Sequence, residues 1–438
     1  MAWLSTTIWE VRNTGNDING GAYDPSFGGT DYSEQDAAQL ALADFATPGA
    51  GSTTLTTPTG GLTPAMVGNG FHPQTSGNWV EDFYCITAWA SANSVTLDRS
   101  PTPAGAGVAG NGTVGGGIAT LNKLAAHNDY VSGNTIWIKT GTTLSADVTL
   151  SVSGSGANLP IIFDGYQTAR GDTPLLGNRP LITCGANYIN DSGYRHIWRH
   201  LRMTGNKAVS PTFKGGYYGT LYNVFVENTL AGGNETAYQP DAYSKAIACA
   251  FTCPSGKALW GYAAGESQWT GCYVYDCAFG IILYGGATAS LCTVADASDT
   301  GIACATNQYD ANLVMNNTVY NCGNGIVVTN FGSTIINNIL ASCTIGLKDA
   351  QLTNFVDYNN YFNNGTDVQN ATKGPHALAL DPQFTNAPGG DFSIGANLKA
   401  GGFPGAFDGG LSTGYLDMGA VQRQEPAAGG SYAWGGTS

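Results

Sequence analysis

Hydrophobic and polar positions change phase several times along the chain, and the changes divide it into segments. Thr7-Ile8-Trp9-Glu10-Val11 alternates and reads as an opening strand, followed by a Gly/Asn/Asp turn region reaching residue 32. At Ser33-Glu34-Gln35-Asp36 the period lengthens. Ala37, Leu40, Ala41 and Phe45 fall at i, i+3, i+4 and i+8, which predicts a helix with Ser33 as its N-cap. Residues 47–117 return to period two in Thr53-Thr54-Leu55-Thr56, in Trp79 to Thr87 and in Ser94 to Arg99. With Gly, Pro and Ser between them, these runs predict a small inserted β unit, with Ala104 to Gly117 as its exit linker. A short helix around Ile118 to His127 then leads to the strand Thr135-Ile136-Trp137-Ile138-Lys139.

Between Gly271 and Asp349 one pattern returns at near-constant spacing: Val274, Cys277, Gly280, Ile281; Ala295, Ser298, Gly301, Ile302; Val319, Cys322, Gly325, Ile326; Leu340, Cys343, Gly346, Leu347. The Cys/Ser column advances by 21, 24 and 21 residues. A period of this size marks one unit stacked on copies of itself, and its Val, Ile, Tyr, Asn and Gly content makes the unit strand rather than helix. Asparagine pairs at Asn316-Asn317, Asn337-Asn338 and Asn359-Asn360 fit corners, where amides bond their own backbone or the next coil roughly 4.8 Å away.

On these repeats the chain resembles the right-handed parallel β-helix, or pectate-lyase-like, superfamily. Gly15-Asn16-Asp17-Ile18-Asn19-Gly20-Gly21 is similar to an opening found there, and Asp381-Pro382-Gln383-Phe384, Gly390-Asp391-Phe392 and Leu416 to Gln422 are similar to a frequent ending. The resemblance implies an all-β solenoid with a helix capping its open end. The expected organisation is 1–46 strand and capping helix, 47–117 inserted β unit, and 118–370 coils interrupted by an excursion at 232–268. A closing segment at 371–428 and a Gly-rich tail at 429–438 follow. At one coil per ~21 residues, roughly eight to ten coils are expected, a rod of about 40–50 Å.

Composition sharpens this picture. Charged residues are only 11%, glycines number 62 and the net charge is −14, which suits a turn-rich β solid and disfavours nucleic acid or anionic membrane as partners. No stretch approaches 18 apolar residues, and the start from Met1 to Ile8 lacks the marks of a signal peptide, so synthesis in a reducing cytoplasm is expected. The 10 cysteines are then read as buried thiols, because stacked Cβ atoms at ~4.8 Å are too far apart for a disulfide. Cys249 and Cys253 are placed outside the ladder, as small core residues.

The candidate chemistry is sparse. The polygalacturonase-type pattern of Asn-Thr-Asp, adjacent aspartates, His-Gly and Arg-Ile-Lys is absent, and no arginine lies between Met203 and Gln422 to act as a lyase base. Asp276, Asp296, Asp299 and Glu266 are the acids near the middle of the stack; Asp276 is expected to face Ala297, Asn321 and Ser342. Arg195, His196, Arg199, His200 and Arg202 form the one basic cluster. On a strand its two histidines would stand about 13 Å apart, so an interface through Arg195, Arg199 and Arg202 is expected and no metal. Asp17, Asn19, Asp24 and Asp31 are of the type calcium takes, though Asx-turn capping explains them more simply. Tyr238, Tyr243, Trp260, Tyr262 and Trp269 are the candidate contacts for a glycan or a partner protein.

No cofactor is expected. The stretch from Trp9 to Arg99, with Gly60 to Asn69 and Val95 to Arg99, is similar to amino-terminal regions of β-helix proteins of tailed bacteriophages and environmental viruses. That resemblance implies a non-enzymatic virion structural protein, decorating the head or attached to the tail. It would be trimeric and in contact with other virion proteins, and a host surface polysaccharide is a candidate ligand. A polysaccharide-degrading tailspike or secreted enzyme is the alternative, and a surface adhesin the third reading.

Overall fold

The computed structural model describes residues 3–74, 77–107, 109–156, 158–232, 235–261, 265–305, 311–399, 401–402 and 416–422. The Gly-rich tail expected at 429–438 lies outside them. The chain divides into two compact units, residues 1–230 with 237–244, and residues 231–236 with 245–438. The architecture is all-β, with about 10 turns of solenoid, within the range expected from the period.

In the first unit, Ile8–Arg12 pairs in parallel with Thr135–Lys139, followed by Ile161–Tyr166, His196–Arg199 and Thr220–Tyr222. Other short strands complete each coil, as in Leu181–Gly185 on Arg202–Gly205 and Phe225–Asn228. Period-two alternation sets which side faces in: Ile136 and Ile138 are buried while their strand neighbours are half-exposed. One short α-helix, Leu121–His127, is where the sequence predicts it, with Thr120 capping Lys123 N–H. Asp17 accepts from the amides of Ala119 and Thr120 at 2.9 Å and thereby anchors that helix.

The helix expected at Ser33 does not form. Residues 33–39 are turns and bends, and Leu40–Phe45 is a strand. Ser33 bonds back to Asp31 through both its hydroxyl and its amide, and the carbonyls of Tyr32 and Gln35 accept from Gly116 and Gly117. The Gly-rich run thus takes groups a helix would have used internally. That run is no linker either: Gly110–Val114 lies between Leu40–Phe45 and Gly70–Pro73 in a six-stranded sheet that also holds Tyr84–Ser91, Ser94–Leu97 and Thr54–Thr56. Its glycines let rings pack on bare backbone, since a Cβ at Gly110 would sit 2.3 Å from Trp79 and one at Gly112 2.5 Å from Phe71.

In the second unit, Lys245–Ile247, Gln268–Thr270, Thr288–Ser290, Leu313–Met315, Thr334–Ile336 and Phe355–Asp357 run in parallel register. The other faces come from Ala250–Trp260, Tyr273–Leu283 and Thr293–Cys304, then from shorter strands down to Thr366–Gln369. The excursion expected at 232–268 is therefore largely coil. Ala250–Trp260 pairs with the next layer and buries Phe251, Cys253, Ala258 and Leu259, a mix whose register shifts hide the period from sequence.

Two interior columns of side chains run through this unit. One carries Cys253, Cys277, Ala297, Cys322 and Cys343; the other carries Cys249, Cys272, Cys292 and then Asn317, Asn338, Asn359. Cys249 and Cys253 thus head the two ladders instead of standing outside them. Every cysteine is a buried thiol; burial pushes the Cys304 thiol up to about 12. Asparagine amides donate to the next layer, Asn317 to Asn338 and Asn338 to Asn359, each at 3.0 Å. The third ladder member is Asn359 paired with Tyr358, not with Asn360, which instead holds Leu380 from outside.

Gly280, Gly301, Gly325 and Gly346 form a further column. A Cβ at Gly325 would sit 2.4 Å from the carbonyl of Gly346, and one at Gly280 2.4 Å from that of Gly301. After the coils, the chain returns across the outer face of its last layers, where Leu398 and Met418 cover Ile339 and Ala341.

Candidate functional site

On the first unit, one turn of the coils recurs with its middle residue in the left-handed conformation: Arg195 (φ 61°), Tyr218 (φ 55°) and Tyr243 (φ 59°). Backbone bonds from Arg195 to the Tyr217 carbonyl and from Tyr218 to that of Ala242 align these turns. The same left-handed conformation recurs at other corners of the coils, among them Asn223, Ala248 and Asn316, so it belongs to the way the chain turns from one strand to the next. The Tyr218 and Tyr243 rings stack at 4.9 Å and 11°, and the Arg195 guanidinium lies over Tyr218 at 4.8 Å. Tyr194 and Tyr217 stack beside them at 5.4 Å and 16°. All four tyrosines are 38–47% exposed. The result is a ridge of aromatic faces and phenol hydroxyls with one cation, suited to planar, hydroxyl-rich or apolar ligands.

The other expected contacts disperse. Tyr238 is buried against Phe213 and Trp269 is fully buried, so both are core. Trp260 is half-buried with the Lys257 ammonium 4.5 Å over its ring, and Tyr262 lies outside the described residues. Among the aromatics singled out from sequence, Tyr243 alone joins the ridge. Tyr194, Tyr217 and Tyr218 were missed, although the steps of 23 residues from Tyr194 to Tyr217 and 25 from Tyr218 to Tyr243 were present in the chain.

The basic cluster also comes apart. Arg199 and His200 share the Asp164 carboxylate at 2.7 and 2.8 Å, and the Arg202 guanidinium lies 5.8 Å over the Phe225 ring. His196 is buried, with Nδ1 2.5 Å from Asp191 and Nε2 2.6 Å from the Val152 carbonyl. Burial opposes charge on this ring, but the Asp191 carboxylate and the Val152 carbonyl raise its pKa above the ordinary value. Of the expected interface set, Arg195 is the one that packs on the tyrosine ridge. Asp24 and Asp31 are likewise taken, Asp24 by Thr6, Thr7 and Ser26 and Asp31 by Ser33 and Arg170.

The second unit carries an open groove of about 330 Å3 lined by Asp296, Ser298, Asn321, Gly323, Ser342 and Thr344. Here a sequence expectation is overturned. Cys277 pairs with Ala297, so Asp276 stands over Asp296, and the column of left-handed residues reads Asp276, Asp296, Asn321, Ser342, Asn363. The layer is one residue out of phase with the repeat, because the register shifts between Cys277 and Phe279. Two carboxyl-bearing residues thus occupy the same corner on adjacent layers. Both are exposed, and Asn321 donates to Asp296 at 2.6 Å.

Residues 215–367 match the family model described as right handed beta helix region. The fold is that of the right-handed parallel β-helix superfamily. Among solved β-helices, pectate lyase Pel9A is similar over 70% of this chain and 92% of its own, at 12% identity and a TM-score of 0.49. The complex structure of XylC with xylose is similar over 86% and 87%, at 11% identity and a TM-score of 0.39. A mannuronic acid specific polysaccharide family 6 lyase from human gut microbiota aligns over 57% and 74%, at 10% identity and a TM-score of 0.40. No curated protein sequence matches the chain.

Proposed function

We propose that this β-helix is a non-enzymatic binding and structural component of a tailed-phage virion, decorating the head or attached to the tail. Its exposed tyrosine ridge would grip a host surface glycan. The observation that carries the binding is the pair of stacked rings, Tyr218 on Tyr243 and Tyr194 on Tyr217, held open to solvent beside Arg195. Support for a non-catalytic role comes from the absence of arginine between Met203 and Gln422 and from the exposure of the groove acids. The proposed partners are other virion proteins and two further copies of this chain.

Mass spectrometry and labelling of purified particles test the location, and absence from particles removes it. Titration of the full chain with host surface polysaccharide tests the ridge. The double variant Tyr218→Ala/Tyr243→Ala is expected to bind roughly tenfold more weakly, a loss of about 1.4 kcal/mol. Stacked Asp276 and Asp296 favour a second reading, a polysaccharide-degrading tailspike. New reducing ends or unsaturated sugars released by the wild-type chain, and lost in Asp296→Asn, would establish that reading instead.

A further inference from the structure

The inserted sheet and the short helix of the first unit bring together His72 and Glu81 with His127, which follows Glu81 by 46 residues. His72 lies on Gly70–Pro73, Glu81 follows that strand, and His127 ends the helix Leu121–His127. One nitrogen from each ring and one Glu81 oxygen all lie within 4.8 Å of one another. The His72 side chain is fully buried, that of His127 is 16% exposed and that of Glu81 40%.

The protonation pattern of His72 is set by its surroundings. Its Nδ1 is 3.0 Å from the Ile18 carbonyl, which can only accept, so Nδ1 carries the hydrogen and Nε2 presents a lone pair. That buried Nε2 has no hydrogen-bond partner among the described residues. It points toward Glu81 Oε1 at 3.6 Å, one acceptor toward another. The separation is long for a hydrogen bond, but two ligands each ~2.1 Å from one tetrahedral ion stand roughly 3.4 Å apart. Asp82 Oδ1 lies 3.5 Å from His127 Nδ1, where a carboxylate holds a metal-binding ring in place. The Phe83 ring packs against both imidazoles, at 4.9 and 5.2 Å, and walls the cluster. Lys123, one helical turn before His127, donates to Glu81, a bond that an ion held by this carboxylate would replace.

We propose that His72 Nε2, Glu81 and His127 form a binding site for a divalent transition metal, with Zn2+ the best match to two imidazoles and a carboxylate. Three protein ligands leave a fourth position for water. The ion would tie the sheet insert to the helix, so its binding also raises the melting temperature of the folded chain.

The test uses the untagged full chain, stripped with a chelator and titrated with Zn2+ by calorimetry and with Co2+ by visible absorption. One ion per chain is expected. His127→Gln and Glu81→Gln, at partly exposed positions, should each weaken binding at least tenfold while the circular dichroism spectrum is unchanged. His72→Gln is less suitable, because a buried substitution there threatens folding. Failure of the wild-type chain to bind a stoichiometric ion, or equal affinity in wild type and both variants, overturns the proposal.

Discussion

Asn338 shows how much one side chain does in this stack. Its amide donates to the Val314 and Ile336 carbonyls and to Asn359 Oδ1, and its own oxygen accepts from the Asn317 backbone and side chain. Replacement by alanine strands buried groups in three layers, at roughly 1–3 kcal/mol for each group left unmet. Asn338→Ala is expected to lose about 3 kcal/mol in urea denaturation; a loss under 1 kcal/mol would mean water replaces the ladder. His196 offers a pH handle. Because its folded pKa is raised, its contribution to stability is fully present below the unfolded value of about 6.5 and disappears as pH rises through the folded pKa. The wild type is therefore expected to lose stability relative to His196→Gln as pH rises above neutral. Parallel denaturation curves for the two proteins across that range would contradict the buried imidazolium.

At the level of the coil, sequence periodicity was a good guide to strands and a poor one to phase. The Val, Cys, Gly and Ile columns exist, but a register shift after Cys277 moves the partner of Val274 from Ala295 to Val294. It also set Asp276 against Asp296, which the spacing alone had hidden. The helix expected at Ser33 failed for a different reason: the amides of Gly116 and Gly117 take the Tyr32 and Gln35 carbonyls. The cluster of His72, Glu81 and His127 had no local signature, because its members come from three separate segments. The repeated glycine was legible as a position but not as a cause. Gly325→Ala would press a Cβ to 2.4 Å from a carbonyl, and the overpacking is expected to cost about 2 kcal/mol, read from the denaturation midpoint.

For the molecule as a whole, a net charge of −14 disfavours polyanionic ligands. No helix among the described residues is long and apolar enough to cross a membrane. If the ridge binds and the groove does not catalyse, Asp276→Asn/Asp296→Asn should bind polysaccharide like the wild type, and neither should shorten it on size-exclusion chromatography. Shortening by the wild type alone would reverse the assignment.

The glycine column has a consequence for how such a chain grows. Where one layer meets the next at these positions it meets bare peptide, so each layer offers its neighbour an almost generic seat. Asn338 and Asn359 stand 21 residues apart, and tandem duplication of one such length would bring its own glycine, amide and aliphatics to that seat. A copy of residues 324–344 inserted after Thr344 is expected to melt as cooperatively as the parent and to lengthen the particle by one layer, about 4.8 Å, in solution scattering. Aggregation of the enlarged chain would show that the layers are less interchangeable than their backbones suggest.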